Sequence, residues 1–155
     1  MKNKIICDSN FLIGLFDEKD KRHWLVSETM EELKEKDFNA IYFDFVINEV
    51  VSVICKRFTE QKRIRDVRQV LLTIKDTINK EVILWSGVYL KELFNDILNE
   101  VIRTDGALNF NDASIVQLSM RFKIPYIASF DEDFDRVKGI KRIGHKKDLE
   151  ILEEG

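Results

Sequence analysis

Cysteine, histidine and proline are scarce in this chain: its 155 residues include two, two and one of them. Cys7 and Cys55 both lie inside apolar patterns, so they read as buried free thiols rather than the disulfide framework that staples small secreted proteins. Together with His23 and His145 they show none of the paired spacings of a zinc site, which sets thiolate metal chemistry aside. No apolar run approaches the roughly 18 residues of a membrane span. Asp8 interrupts what would be the apolar core of a signal peptide, so no membrane association and a cytoplasmic location are expected. Neither sign of charge prevails. The 25 Lys and Arg against 28 Asp and Glu leave a formal net charge of −3, which neither selects nor excludes a nucleic-acid partner because local patches outweigh the total. No internal repeat, low-complexity segment or linker divides the chain.

The composition, 45% hydrophobic and 34% charged, is that of an ordinary globular protein. A chain of about this size fits one domain, here residues 1–155, and buries roughly 68–70% of its unfolded surface. Its most informative stretch is Lys4-Ile-Ile-Cys-Asp-Ser-Asn-Phe-Leu-Ile-Gly-Leu15. Ile5, Ile6 and Cys7 lack polar alternation, the habit of a strand buried on both faces of a parallel sheet. Asp8 then falls at that strand's carboxyl end, and Ser9 and Asn10 can cap a following helix striped by Phe11, Leu12, Leu15 and Phe16. Open α/β sheets bind ligands at the carboxyl edge of their strands, so Asp8 occupies a functional position.

Strand and helix patterns continue to alternate. A helix is predicted from His23 to Lys36, with apolar Trp24, Leu25, Met30 and Leu33 and with His23 on the surface or capping. A strand follows over Ala40–Phe43, then a helix over Val46–Arg57 with Asp44 as a candidate cap. A further helix lies within Phe58–Thr77, and a third strand over Val82–Trp85. Tyr89, Leu93, Ile97 and Val101 mark another helix, whose Asp96 and Glu100 belong to a solvated face. Asp105 reads as turn chemistry beside Gly106. Asn109 or Asn111 starts a helix with Asp112 in its first turn. Ile124–Ala128 is a strand, Ile140–Ile143 a last edge strand, and the charged tail from His145 a solvated terminal helix.

Strand direction gathers four acids from these elements. Glu49 lies early in a helix that follows a strand, and such a helix begins at the sheet's carboxyl edge; taken alone, it serves a helix dipole equally well. Asp112 opens a helix antiparallel to the strand it precedes, so that N-terminus sits over the same edge. Asp131 follows the Ile124–Ala128 strand, with Asp133 and Asp135 close by. Clustered carboxylates raise one another's pKa unless a cation neutralises them. A hard divalent ion with oxygen ligands, Mg²⁺ or Mn²⁺, suits such a site. No His, Cys or Lys accompanies the acids as nucleophile or base, so the chemistry falls to a metal that lowers the pKa of bound water and stabilises charge on a phosphoryl oxygen. Phosphodiester hydrolysis is the reaction class that fits.

Ile5-Ile-Cys-Asp8-Ser-Asn10, Glu49 early in its helix, Phe110-Asn-Asp112-Ala and Ser129-Phe-Asp131-Glu-Asp-Phe resemble the four motifs of the PIN domain in order and spacing. The likeness covers essentially the whole chain. Its length and the Leu15-Phe-Asp-Glu-Lys-Asp-Lys-Arg-His23 connection are similar to those of VapC-type ribonuclease toxins. The resemblance implies a three-layer α/β/α fold around a parallel sheet of about four to five strands, and Mg²⁺- or Mn²⁺-dependent cleavage of RNA. Carried over by position, Asp8, Glu49, Asp112 and Asp131 are the catalytic, metal-holding acids. Asn10 and Ser129 orient Asp8, Asp131 or a metal-bound water. Asp133 is an auxiliary candidate that turn chemistry explains as well. A toxin of this kind also implies a homodimer and a small antitoxin protein that blocks the cleft.

Two basic sets could contact phosphates. Lys56, Arg57, Lys62, Arg63, Arg65 and Arg68 form one, which a solvated helical face explains equally well. Arg136, Lys138, Lys141, Arg142, Lys146 and Lys147 form the other. Among rival readings, a haloacid-dehalogenase-like phosphatase wants an acid two residues after the first aspartate, where this chain has Asn10. A PIN-type RNA-processing nuclease and a nuclease-dead RNA-binding module remain as alternatives; retention of all four acids argues against the latter.

Overall fold

The computed structural model describes residues 3–152. Strands β1 (Asn3–Cys7), β2 (Phe38–Phe43), β3 (Ile83–Leu84), β4 (Tyr126–Ala128) and β5 (Lys141–Ile143) form a single sheet in the order β3-β2-β1-β4-β5. Every pairing is parallel. β1 occupies the centre, as its uninterrupted apolar run requires: Ile5, Ile6 and Cys7 are fully buried.

Among the described residues seven α-helices flank the sheet: α1 (Ser9–Phe16), α2 (His23–Glu35), α3 (Asp44–Glu60), α4 (Ile64–Thr77), α5 (Gly87–Glu92), α6 (Phe94–Arg103) and α7 (Phe110–Phe122). Parallel neighbours demand right-handed crossovers. The steps β1 to β2 and β2 to β3 run one way across the sheet, and the return to β4 runs the other, so their helices fall on opposite faces. Contacts sort accordingly, with α1 against α2, α3 and α4, and α6 against α5 and α7. The result is the expected three-layer α/β/α arrangement. Phe11, Phe43, Phe58 and Phe134 are fully buried in its core, each contributing about 1.5–3 kcal/mol over exposure.

Several boundaries depart from the sequence expectation for identifiable reasons. The helix read through Arg57 continues to Glu60, and α4 starts only at Ile64, because Lys62 turns the chain at φ 56°. The helix around Tyr89 to Val101 is two, parted at Leu93. Glu100 is buried rather than solvated, since Arg103 on the next turn pairs with it. Cys7 is buried and free as expected, whereas Cys55 is only half-buried. The tail is not a solvated α-helix: it forms 3-10 turns from Lys146 to Leu152, Leu149 is buried, and Asp148 accepts from the N–H groups of Gly144 and His145 at 2.8 and 2.9 Å.

Candidate active site

The strand order reverses between β1 and β4. Chain progression runs outward from β1 through β2 to β3, then re-enters the sheet on the other side of β1. At such a switch point the loops leaving the two strands diverge and open a crevice at their carboxyl ends, where α/β sheets place ligands. Asp8 follows β1, and Ser129, Phe130 and Asp131 follow β4. The Asp8 N–H donates to the Ala128 carbonyl at 2.9 Å, which locks the two loops in register.

Asp8 is 4% exposed. It, and not Ser9 or Asn10, is the residue that caps α1: its Oδ1 accepts from the Ser9 N–H at 2.7 Å. Oδ2 accepts from the Ser129 hydroxyl at 2.6 Å. Ser129 is wholly buried, and the same Oγ accepts from the Asp131 N–H at 3.0 Å and from Asn10 Nδ2 at 3.3 Å. Asn10 Oδ1 in turn accepts from the Phe130 N–H at 3.1 Å. Asn10 and Ser129 therefore cross-link the β1 and β4 loops, and Ser129 holds Asp8.

Asp112 is held from the other face of the sheet. Asn109 is the cap of α7, accepting from the Asp112 N–H at 3.0 Å while Asp112 Oδ2 accepts from the Asn109 N–H at 3.1 Å. This reciprocal box fixes the first turn. Glu49, half-buried, lies in the second turn of α3. Asp131 caps the short turn Glu132–Arg136 by accepting from the Asp133 N–H at 2.9 Å. Asp133 accepts from Arg136 Nε at 2.9 Å, which accounts for it as a loop residue. Asp44, a candidate cap, instead accepts from the Ser86 N–H at 3.0 Å and ties the ends of β2 and β3 together.

The charges of the acids act on one another. Burial raises Asp8 to about 6; the Ser129 and Ser9 hydrogen bonds oppose the rise, and the charges of Glu49 and Asp131 add to it. Burial likewise raises Asp112 to about 6, opposed by the Asn109 N–H and reinforced by Asp8, Asp131 and Glu49. Beneath them, burial and the Asp8 charge push the Cys7 thiol up to about 12, so it stays protonated and unreactive at neutral pH. The four acids thus face one field, and their oxygens are the donors a hard divalent cation takes. As they stand, no three His, Cys, Asp or Glu side chains among the described residues are close enough to hold an ion. The donor chemistry fits a metal, with water completing whatever shell the carboxylates leave open.

The sequence matches the PIN domain model over residues 5–140, a span that includes all four acids. The chain belongs to the PIN domain family. PIN domains are in general metal-dependent nucleases. Comparison with curated proteins and with solved structures gave no match. No helix among the described residues is long and apolar enough to cross a membrane.

Most of the arginines in the two basic sets are engaged in the PIN fold itself. Asp17, 1% exposed, accepts from Arg57 at 3.1 Å and pairs with Arg63 at 2.9 Å. Burial works against its charge, but the two guanidinium groups and the Lys19 N–H more than offset this and hold it below the ordinary carboxylate range. Arg57 also reaches Asp20 at 2.7 Å, and Arg63 lies over the Phe58 ring at 3.9 Å. In the second set, Arg142 pairs with Asp135 at 2.9 Å and donates to the Ser129 carbonyl at 3.2 Å. Lys146 pairs with Glu28 at 2.6 Å.

Proposed function

We propose that this PIN domain is a Mg²⁺- or Mn²⁺-dependent endoribonuclease and the toxin of a VapBC-type toxin–antitoxin pair. What supports the reading is the switch-point crevice, with Asp8 after β1 and Asp131 after β4, together with Asp8 and Asp112 both raised to about 6 by burial and by the charges of neighbouring acids. Those four carboxylates would hold the metal, which when bound activates water and stabilises charge on the phosphoryl group. Ser129 fixes Asp8 by donating to it at 2.6 Å, and Asn10 steadies Ser129 by donating to its hydroxyl oxygen at 3.3 Å. Burial of Asp8 shields that carboxylate from bulk water, so its charge acts at a lower dielectric than those of the half-exposed Glu49, Asp112 and Asp131.

The toxin assignment rests on the likeness in motif order, chain length and the connection to His23. A homodimer accords with α6, which exposes Phe94, Leu98 and Ile102 at four-residue spacing, with the Phe94 ring 6.2 Å from that of Phe110. The direct test incubates the purified protein with structured and unstructured RNA in Mg²⁺, Mn²⁺ or EDTA. Cleavage with either metal and none in EDTA is expected, and cleavage that persists in EDTA rules the mechanism out. Co-purification with the product of an adjacent reading frame separates a toxin from an RNA-processing nuclease.

A further inference from the structure

A crevice lined by four carboxylates repels a polyanion, so a nuclease of this design needs a cation at the edge of the crevice to hold the strand. The two basic sets do not provide it at the Ser129–Asp131 loop. Arg136 is committed to Asp133 and Arg142 to Asp135, each at 2.9 Å. Arg22, which neither set includes, lies with its guanidinium 4.3 Å from the centroid of the Phe130 ring. Phe130 is the residue between Ser129 and Asp131, and its N–H belongs to the bridge to Asn10. The Arg22 side chain is exposed and pairs with no carboxylate among the described residues.

Its position is built rather than incidental. The Arg22 N–H donates to Asp20 Oδ1 at 2.8 Å, and the other Asp20 oxygen takes Arg57 at 2.7 Å. The buried clamp of Asp17 with Arg57 and Arg63 therefore holds the backbone from which Arg22 extends. Phe11 closes on Phe130 with ring centroids 5.5 Å apart, so the shelf under the guanidinium is fixed from α1. A guanidinium held over an aromatic ring has N–H donors directed away from that ring, and those donors match phosphate oxygens.

We propose that Arg22 grips a backbone phosphate of the RNA strand beside the acidic crevice, with Phe130 as its shelf. The inference rests on the ribonuclease reading above and adds a substrate-binding residue to it. Arg22 binds strand and transition state alike, so its loss raises KM with little change in kcat.

The test measures binding of a labelled random-sequence single-stranded RNA by the full chain in EDTA, by fluorescence anisotropy over a salt series. Arg22→Ala should weaken binding about tenfold and reduce the salt slope by about 0.7, the value for one phosphate contact on a single strand. Arg22→Lys should keep the slope and recover only part of the affinity, since the ammonium cannot stack. An unchanged slope in Arg22→Ala overturns the proposal, as does a loss of affinity accompanied only by a lowered melting temperature, which marks a structural role. RNA bound with equal strength by Arg22→Ala and the unsubstituted chain sinks this inference alone. No RNA binding by the unsubstituted chain also overturns this inference, while the ribonuclease reading is decided separately by cleavage in Mg²⁺ or Mn²⁺.

Discussion

Ser129 donates its hydroxyl to Asp8 across 2.6 Å although 121 residues separate the two. The bond joins the loops of two neighbouring strands at the point where the sheet changes direction, and it lowers the pKa of a carboxylate that burial raises. Removing it by Ser129→Ala should shift the acid limb of the pH–rate profile upward, because Asp8 then loses its strongest opposing hydrogen bond. The same change strands the Asp131 N–H and Asn10 Nδ2, which should cost about 1–3 kcal/mol in urea unfolding. An unshifted acid limb would detach Ser129 from the chemistry.

Asp8→Asn and Asp112→Asn should each lower RNA cleavage by at least about 100-fold, the scale on which loss of a charge-stabilising group acts. Both are nearly isosteric, and each relieves repulsion within the crevice. Circular dichroism in EDTA should therefore show folded proteins at neutral pH. Full activity in either variant would remove that acid from the mechanism.

The raised values near 6 for Asp8 and Asp112 have a consequence for stability. An acid whose folded pKa lies above its unfolded one binds its proton more tightly when folded, so folding loses stability as pH rises from about 4 to about 6. In EDTA this pair should favour pH 5 over pH 7.5. Mg²⁺, binding the ionised acids, should raise the melting temperature at pH 7.5 and barely at pH 5. Calorimetry at the two pH values, with and without the ion, reads this directly.

Asp17 behaves in the opposite sense. Its folded pKa lies below the ordinary 3.8, so the stability it contributes is present above that value and is lost as pH falls through the folded pKa. Asp17→Asn leaves Arg57 and Arg63 facing a neutral side chain and should cost about 3 kcal/mol, the lower end for breaking a buried pair. The end is low because Arg57 keeps Asp20 and Arg63 keeps Asp66. Denaturant titrations should show the two proteins converging at low pH.

If α6 meets a second copy, Leu98→Asp should yield a monomer by sedimentation while leaving the melting temperature nearly unchanged, since Leu98 is 38% exposed and contributes little to the core.

The central strand was legible because burial on both faces leaves an unmistakable mark: Ile5, Ile6 and Cys7 have no polar neighbour to alternate with. Direction then placed Asp8, Glu49, Asp112 and Asp131 at one edge, since a parallel sheet sends every strand end the same way. The capping roles at the rim were harder. Ser9, Asn10 and Asp44 have the side chains of caps, yet Asp8 takes the cap of α1, and Asn10 and Asp44 bond across to other loops. A polar side chain's local options are visible in its neighbours; a partner more than forty residues away is not.

The basic stretches show the same limit. Arg63 has Asp66 within one helical turn, whereas Arg57 has no such neighbour, and the fold brings Asp17 to both of them and Asp20 to Arg57. Arg22, surrounded in sequence by other charges, gave no signal that Phe130 would lie beneath it. By itself the order of residues determined the alternation of strands and helices up to the C-terminal tail and the family, because these depend on periodicity and chain direction. Strand order, with its reversal between β1 and β4, and the choice of which arginines are spent on ion pairs were decided only in three dimensions, where packing selects among partners that the chain offers in equal measure.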